Sequence, residues 1–314
     1  MDKEHLIKQV ETGEITVNQA LSMMRKTVNF SGSGVSEQPT QSEQVTQIMR
    51  ELEGLIGLDS VKQLINEVHA YVEIQQRRVS VNLVSEPTVL HMIFMGNPGT
   101  GKTTVARIIG KLFLAMGVLN KGHIVEVERA DLVAEYIGQT AQRTREQLRK
   151  ASGGILFIDE AYALARGGEK DFGKEAIDTI VKTMEDQRTN IIIILAGYSK
   201  PMEEFLQTNP GLKSRFPIII KFPDYSTFEL FRIAERMLQQ REYQLSKGAR
   251  RKMFRLIEEL KSGNMENFGN ARTIRNIIEK SIRRQAVRLV GKNNISRTEL
   301  MEIIEEDISE VENI

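Results

Sequence analysis

Residues 96–103 read Gly-Asn-Pro-Gly-Thr-Gly-Lys-Thr, and no other stretch of the 314-residue chain restricts its fold as tightly. A glycine, four variable residues, then Gly-Lys and a hydroxyl residue form a phosphate-cradling pattern when a strand precedes it and a helix follows. Both flanks fit. The apolar run His91 to Met95 precedes the pattern, and Val105, Ile108, Ile109, Leu112, Phe113 and Met116 recur at helical spacing after it. Glycines let the backbone wrap around phosphate oxygens. The loop N–H groups and the helix N-terminus present partial positive charge to the anion. Lys102 is placed to reach the outer phosphates as a point charge, and the Thr103 hydroxyl to take a magnesium position. Gly96, Asn97, Pro98, Gly99, Thr100, Gly101, Lys102, Thr103 and Thr104 are therefore candidate nucleotide-binding residues. The competing reading, a Gly-rich turn that binds nothing, explains the pattern but not its context.

The central sequence alternates short apolar runs with helical segments. After His91 to Met95 come Ile124 to Val127, Ile155 to Ile158, Ile191 to Leu195 and Ile218 to Phe222. Such alternation predicts an α/β fold with a five-stranded parallel sheet covered on both faces. The third run ends in Asp159 and Glu160. Ligands of open α/β sheets bind at the carboxyl ends of the strands, so both acids are expected beside the phosphate cradle. Asp159 is the candidate magnesium acid, as in P-loop ATPases. Glu160 is the candidate general base that polarises an attacking water. Two solvated acids at a strand end are the bland alternative, and their pairing with the cradle weighs against it. ATP and Mg2+ are the implied cofactors.

The flanks of this core read differently. Residues 1–28 suggest short helices, with Gly13 between two pieces and Thr16 and Gln19 at capping-box spacing ahead of Ala20, Leu21, Met23 and Met24. Residues 29–44 are polar and rich in Gly, Ser and Pro, the composition of a linker. A helix carrying Val61, Leu64, Ile65, Val68 and Val72 leads into the α/β core, which is expected over residues 45–224. Beyond Pro223 the pattern turns to helices only, which assigns residues 225–314 to an all-helical domain. One helix there carries Ile274, Ile277, Ile278 and Ile282. The last is expected to start at a capping box of Ser296 and Glu299, ahead of Leu300, Ile303 and Ile304.

Composition removes several classes. The chain has no cysteine, which excludes disulfides, thiolate metal sites and cysteine nucleophiles. No apolar run approaches the roughly 20 residues needed to span a bilayer, and residues 1–14 lack an apolar signal core. A cytoplasmic protein without a membrane partner is the expectation. The formal net charge of +1 lacks the basic excess of a nucleic-acid binder.

The cradle, the paired acids and the trailing helical domain together resemble the AAA+ family. Further matches narrow the resemblance. Leu55-Ile56-Gly57-Leu58 sits where that family flanks the adenine, which implies nucleotide contacts for Ile56 and Gly57. Asn209-Pro210-Gly211-Leu212-Lys213-Ser214-Arg215-Phe216 precedes the fifth strand, where an AAA+ protein places its arginine finger; Arg215 is the matching position. Gly269-Asn270-Ala271-Arg272 looks like the sensor-2 motif, with Arg272 facing the nucleotide. Arg275, Lys280, Arg283, Arg284 and Arg288 continue that basic run and read as a solvated helix face. The segments 131–138, 195–198, 207–212 and 270–276 closely resemble the CbxX/CfxQ branch, which includes the red-type Rubisco activases. The resemblance covers roughly residues 50–310.

One departure stands out. Asn is frequent at the sensor-1 position, at the end of the fourth strand, and here Tyr198 occupies it. Its hydroxyl can orient water, and its ring can equally serve packing. Tyr136-Ile137-Gly138 has the aromatic–hydrophobic–glycine order of the central-pore loop that grips polypeptide in AAA+ remodelers. A core tyrosine near a turn is the alternative.

The resemblance implies an ATPase that assembles as a homo-oligomeric ring, a hexamer, and remodels a protein client, with a role in sporulation. A nucleic-acid motor or loader sharing the same core is the main competitor, disfavoured by the near-neutral charge. A small-molecule kinase and a non-hydrolysing switch fit poorly with Glu160, which directs the phosphate to water.

Overall fold

The computed structural model describes residues 40–85, 89–136, 138–166, 172–186, 190–263 and 268–309. The helices expected within residues 1–28 lie outside these. The expected linker ends earlier than composition suggests, because residues 41–44 already form the first turn of helix α1, Gln41–Glu53. Leu52 anchors this helix in the core, and Lys111 pairs with Glu51 on its outer side at 2.9 Å. Helix α2, Asp59–Ser80, follows and buries Val61, Ile65 and Val72. Its wide polar face explains why only one stripe of the sequence is apolar.

Five strands build the central sheet: β1 Met92–Gly96, β2 Ile124–Val127, β3 Ile155–Ile158, β4 Ile192–Gly197 and β5 Ile218–Phe222. They pair in the order β2-β3-β4-β1-β5, and every pairing is parallel. Side chains alternate between the faces. Met92, Phe94, Ile155, Phe157, Ile192 and Ile194 join one core cluster, while Ile93, Met95, Leu156, Ile158, Ile193 and Leu195 join the other. The period of two makes both faces apolar only when every residue is apolar, hence the unbroken runs. Each fully buried side chain of this kind contributes roughly 1.5–3 kcal/mol.

The connecting helices α3 Lys102–Ala115, α4 Arg129–Leu132, α5 Gln139–Ala151, α6 Gly173–Asp186, α7 Ser199–Thr208 and α8 Pro210–Lys213 cover the sheet. Helix α3 packs with α1 and α2 on the first face; α5, α6 and α7 contribute to the second. β1 begins one residue later than the apolar run. His91 instead lies buried beside Phe216, and its Nδ1 accepts the Ile193 N–H at 3.1 Å.

The C-terminal domain holds α9 Thr227–Gln239, α10 Lys247–Gly263, α11 Ala271–Val290 and α12 Arg297–Met301. It is not purely helical. A two-residue strand β6, Gln244–Leu245, pairs in parallel with β7, Glu302–Ile303. The capping box of Ser296 and Glu299 forms, but the helix it starts stops at Met301. Gln285 donates its side-chain amide to the carbonyls of Glu299, Leu300 and Glu302, so the chain leaves helical pairing and Ile303 enters the core extended. Arg288 and Asp307 close the end of the domain with paired bonds at 2.9 Å. Core and C-terminal domain share one hydrophobic cluster.

Candidate nucleotide site between core and lid

β1 ends at Gly96 and α3 starts at Lys102, so the glycine-rich loop turns between a buried strand and a helix N-terminus. Gly99 and Gly101 adopt φ of 70° and 98°, conformations that cost a side-chain-bearing residue free energy. The Thr100 hydroxyl donates to the Asn97 carbonyl at 2.8 Å and ties the loop to itself. Lys102 Nζ donates to the carbonyls of Gly96 and Asn97 at 2.7 and 2.9 Å. Burial lowers the pKa of this ammonium; Asp159 opposes the shift, Arg272 adds to it, and Asp224 and Glu160 oppose it. An added anion would stabilise the charged form and offer Nζ better acceptors than carbonyls.

A cavity of about 470 Å³ opens over this loop. Pro98, Gly99, Gly101, Lys102, Thr103 and Thr104 line it. Gly96, Asn97 and Thr100 do not, and serve the loop's own framework instead.

Asp159 and Glu160 line the same cavity from the end of β3. The Asp159 N–H donates to Val127 of β2 at 2.9 Å, and its Oδ1 accepts the Glu160 N–H at 2.9 Å. Glu160 has φ 46°, the left-handed region. That turn swings the chain into the short 3-10 helix Ala161–Ala165 and sets the Glu160 side chain apart from the strand. Tyr198 reaches the cavity beside Gly197. Its ring lies 5.8 Å from that of Tyr162. Burial, then the charge of Glu160, pushes the Tyr162 hydroxyl up to about 12 and raises that of Tyr198. Tyr198 thus packs against Tyr162 and lines the same cavity as the two acids. A Cβ at Gly197 would stand 2.8 Å from the Tyr162 ring, so glycine allows this approach.

Leu55, Ile56 and Leu58 form an apolar wall with Tyr225, Ile233 and Met237. Ile56, expected from the resemblance to contact nucleotide, is part of this wall. Gly57 does not line the cavity: a Cβ there would sit 2.1 Å from Glu229 Oε1, so its smallness serves packing of the loop on α9. Tyr225, Ile233, Arg236, Met237 and Gln240 also border the cavity. Sequence reasoning missed them. The last four share one face of a helix, but two apolar and two polar residues at that spacing read as a half-buried helix face and do not signal a ligand.

Arg272 and Arg275 enter from α11, one turn apart. Arg275 is exposed, as its basic run predicts, and it also borders the cavity, which the sequence did not indicate. The Ala271 N–H donates to the Gly99 carbonyl at 3.2 Å, which docks this helix directly on the loop.

Three expected positions lie elsewhere. Arg215 does not line the cavity; its Nη1 donates to Gly211 at 2.7 Å and its Nε to Glu185 at 3.1 Å. Tyr136 is 68% exposed, which excludes a core tyrosine. Gly138 caps α5 with φ 80°. Ile137 lies outside the described residues.

A phosphate-binding loop, two acids at the next strand but one and a helical lid over a single cavity define a P-loop ATPase. The chain belongs to the AAA family: residues 92–224 match the family described as "ATPase family associated with various cellular activities (AAA)", and residues 226–313 match "AAA lid domain". It is 55% identical to stage V sporulation protein K of Bacillus subtilis, across 84% of this chain and 82% of that one. It is 43% identical to protein CbbX of Cereibacter sphaeroides, across 89% of this chain and 88% of that one. Among solved structures, the FIGL-1 AAA domain superposes with a TM-score of 0.55 at 15% identity, across 83% of this chain and 84% of that one, a likeness of fold. Among the described residues no helix is long and apolar enough to cross a membrane.

Proposed function

We propose that the chain is an ATP-driven protein-remodelling machine that works as a six-membered ring in the cytoplasm. One observation carries the ring. Lys102, Thr103, Asp159, Glu160 and Arg272 line one cavity, while Arg215 does not line it and is held by Glu185 and Gly211. An arginine finger at Arg215 can then serve only a neighbour's nucleotide.

The cavity suits ATP. Its apolar wall takes the base, and the loop N–H groups take the phosphates. Thr103 and Asp159 line the same cavity as Lys102, and among the described residues no group of three or more His, Asp or Glu forms a protein cage for a metal. That donor set fits Mg2+, which usually takes most of its ligands from phosphate and water. Bound through Thr103 and Asp159, the ion would offset charge on the outer phosphates. Glu160 accepts the proton of the attacking water, and the γ-phosphate leaves ADP as inorganic phosphate. Lys102 and Arg272 neutralise oxygens of the transferred group, and Tyr198 orients the water beside Glu160. Arg215 from the adjacent subunit completes the charge balance.

Exposed Tyr136 beside Gly138 supports a loop that grips a client polypeptide. The likeness to a protein named for stage V sporulation supports a role in spore maturation. A net charge of +1 weighs against the alternative of a nucleic-acid motor.

Light scattering and phosphate release on wild type and Glu160→Gln test this reading. Glu160→Gln should bind ATP, hardly hydrolyse it and hold a six-subunit ring, which then serves as bait for the client. A protein that stays monomeric with ATP, with Glu160→Gln hydrolysing like wild type, would overturn it.

A further inference from the structure

The junction of core and lid holds a carboxylate that hydrolysis does not use. Asp224 lies just beyond β5, and three N–H bonds converge on it. Asn97 Nδ2 donates to its Oδ1 and Oδ2 at 3.1 and 2.9 Å, and Asn270 Nδ2 donates to Oδ1 at 2.8 Å. Asn97 belongs to the phosphate loop. Asn270 is the residue that opens α11, two positions before Arg272. One carboxylate thus joins the loop that holds phosphate to the helix that carries the lid arginine.

Asn270 shows how tightly this junction is built. It is fully buried, with φ 46° and ψ −126°. A side-chain-bearing residue in so sparsely populated a region costs about 1–3 kcal/mol and persists only where its surroundings over-determine it. They do so here. Its Oδ1 accepts the Tyr225 N–H at 3.1 Å, and its Nδ2 also meets the Pro98 and Phe268 carbonyls, both at 3.3 Å. The Tyr225 hydroxyl in turn donates to the Thr100 carbonyl at 3.1 Å.

We propose that Asp224 is a positioning residue that couples the phosphate loop to the Arg272 helix, as the shared acceptor for Asn97 and Asn270. The coupling rests on the reading above, in which Arg272 faces the phosphates. Its direction follows from Lys102, whose Nζ holds the Asn97 carbonyl at 2.9 Å. When Lys102 turns to an outer phosphate, Asn97 loses that donor and its backbone is freed to adjust. Its side-chain amide moves with it. Because Asn97 and Asn270 share Oδ1, the change reaches α11 without crossing the hydrophobic core. The lid angle then depends on the phosphates, a differential contact of the kind that turns ligand state into motion.

A double-mutant cycle on the full chain tests this, with ATP affinity read by calorimetry for wild type, Asp224→Ala, Arg272→Ala and the pair. Removing Arg272 should weaken ATP binding about tenfold in wild type and less than about threefold in the Asp224→Ala background, the non-additivity of residues acting as one unit. Equal losses in both backgrounds would overturn the coupling while leaving the role of Arg272 intact. No loss in wild type would overturn that role and the coupling with it. Asn97→Ala separates geometry from charge: it removes one of the two amides that share the carboxylate and leaves the negative charge near Lys102 in place. It should lose the coupling as Asp224→Ala does. If it keeps the coupling, charge alone explains the effect and the proposal fails. Should Asp224→Ala not fold, Asn97→Ala takes its place in the cycle under the same criteria.

Discussion

His91 should make the stability of the core depend on pH, by an amount that the structure sets. The residue stands just ahead of β1, the strand that delivers the phosphate loop, and is 3% exposed. Burial pulls its pKa from 6.5 down to about 4, because the apolar surroundings penalise the imidazolium. Its Nδ1 must also stay unprotonated to accept the Ile193 N–H. The sign follows directly. With the folded pKa below the unfolded one, the stabilising contribution is complete above 6.5 and is lost as pH falls towards 4. At about 1.4 kcal/mol per pK unit, the full window is worth roughly 3 kcal/mol, of which about 2 kcal/mol is gone by about pH 5. His91→Asn removes the titration, while its Oδ1 can still take the Ile193 N–H. The variant loses packing against Phe216, but that loss is common to both pH values and cancels. Urea unfolding of wild type and variant at about pH 7.5 and about pH 5 should show wild type losing about 2 kcal/mol more than His91→Asn. Equal losses in the two proteins would refute the buried neutral imidazole.

Three further outcomes follow from the site and the lid. Gly99→Ala places a Cβ 2.2 Å from the Gly269 carbonyl at φ 70°, so loop or lid must shift; ATP affinity should fall at least about tenfold in calorimetry, with secondary structure by circular dichroism unchanged. Arg288→Ala leaves Asp307, 2% exposed, without its cation. The lid should lose about 3 kcal/mol or more, seen as faster hydrogen exchange at the end of α11. Arg215→Ala should keep ATP affinity within about threefold and cut turnover by roughly 10³; a variant that loses binding but turns over normally per bound ATP would refute the trans role.

The sequence alone determined the parts whose chemistry is local. The cradle is legible because eight consecutive residues, 96–103, carry its whole geometry, and flanking periodicity supplies the strand and helix. The five strands are legible because burial on both faces demands unbroken apolar runs. Asp159 and Glu160 are legible because they end one such run. Only the tertiary structure decided the strand order, the short β6–β7 pair, the structural task of Gly57 and the approach of Arg275 to the cavity. It also decided the junction at Asp224, whose partners Asn97 and Asn270 are 127 and 46 residues away in the chain. The physical reason is the same in each case. A turn or a buried strand is specified by neighbours within a few residues. An amide that meets a distant carboxylate is specified by how two packed bodies sit together, and no local pattern of residues records that.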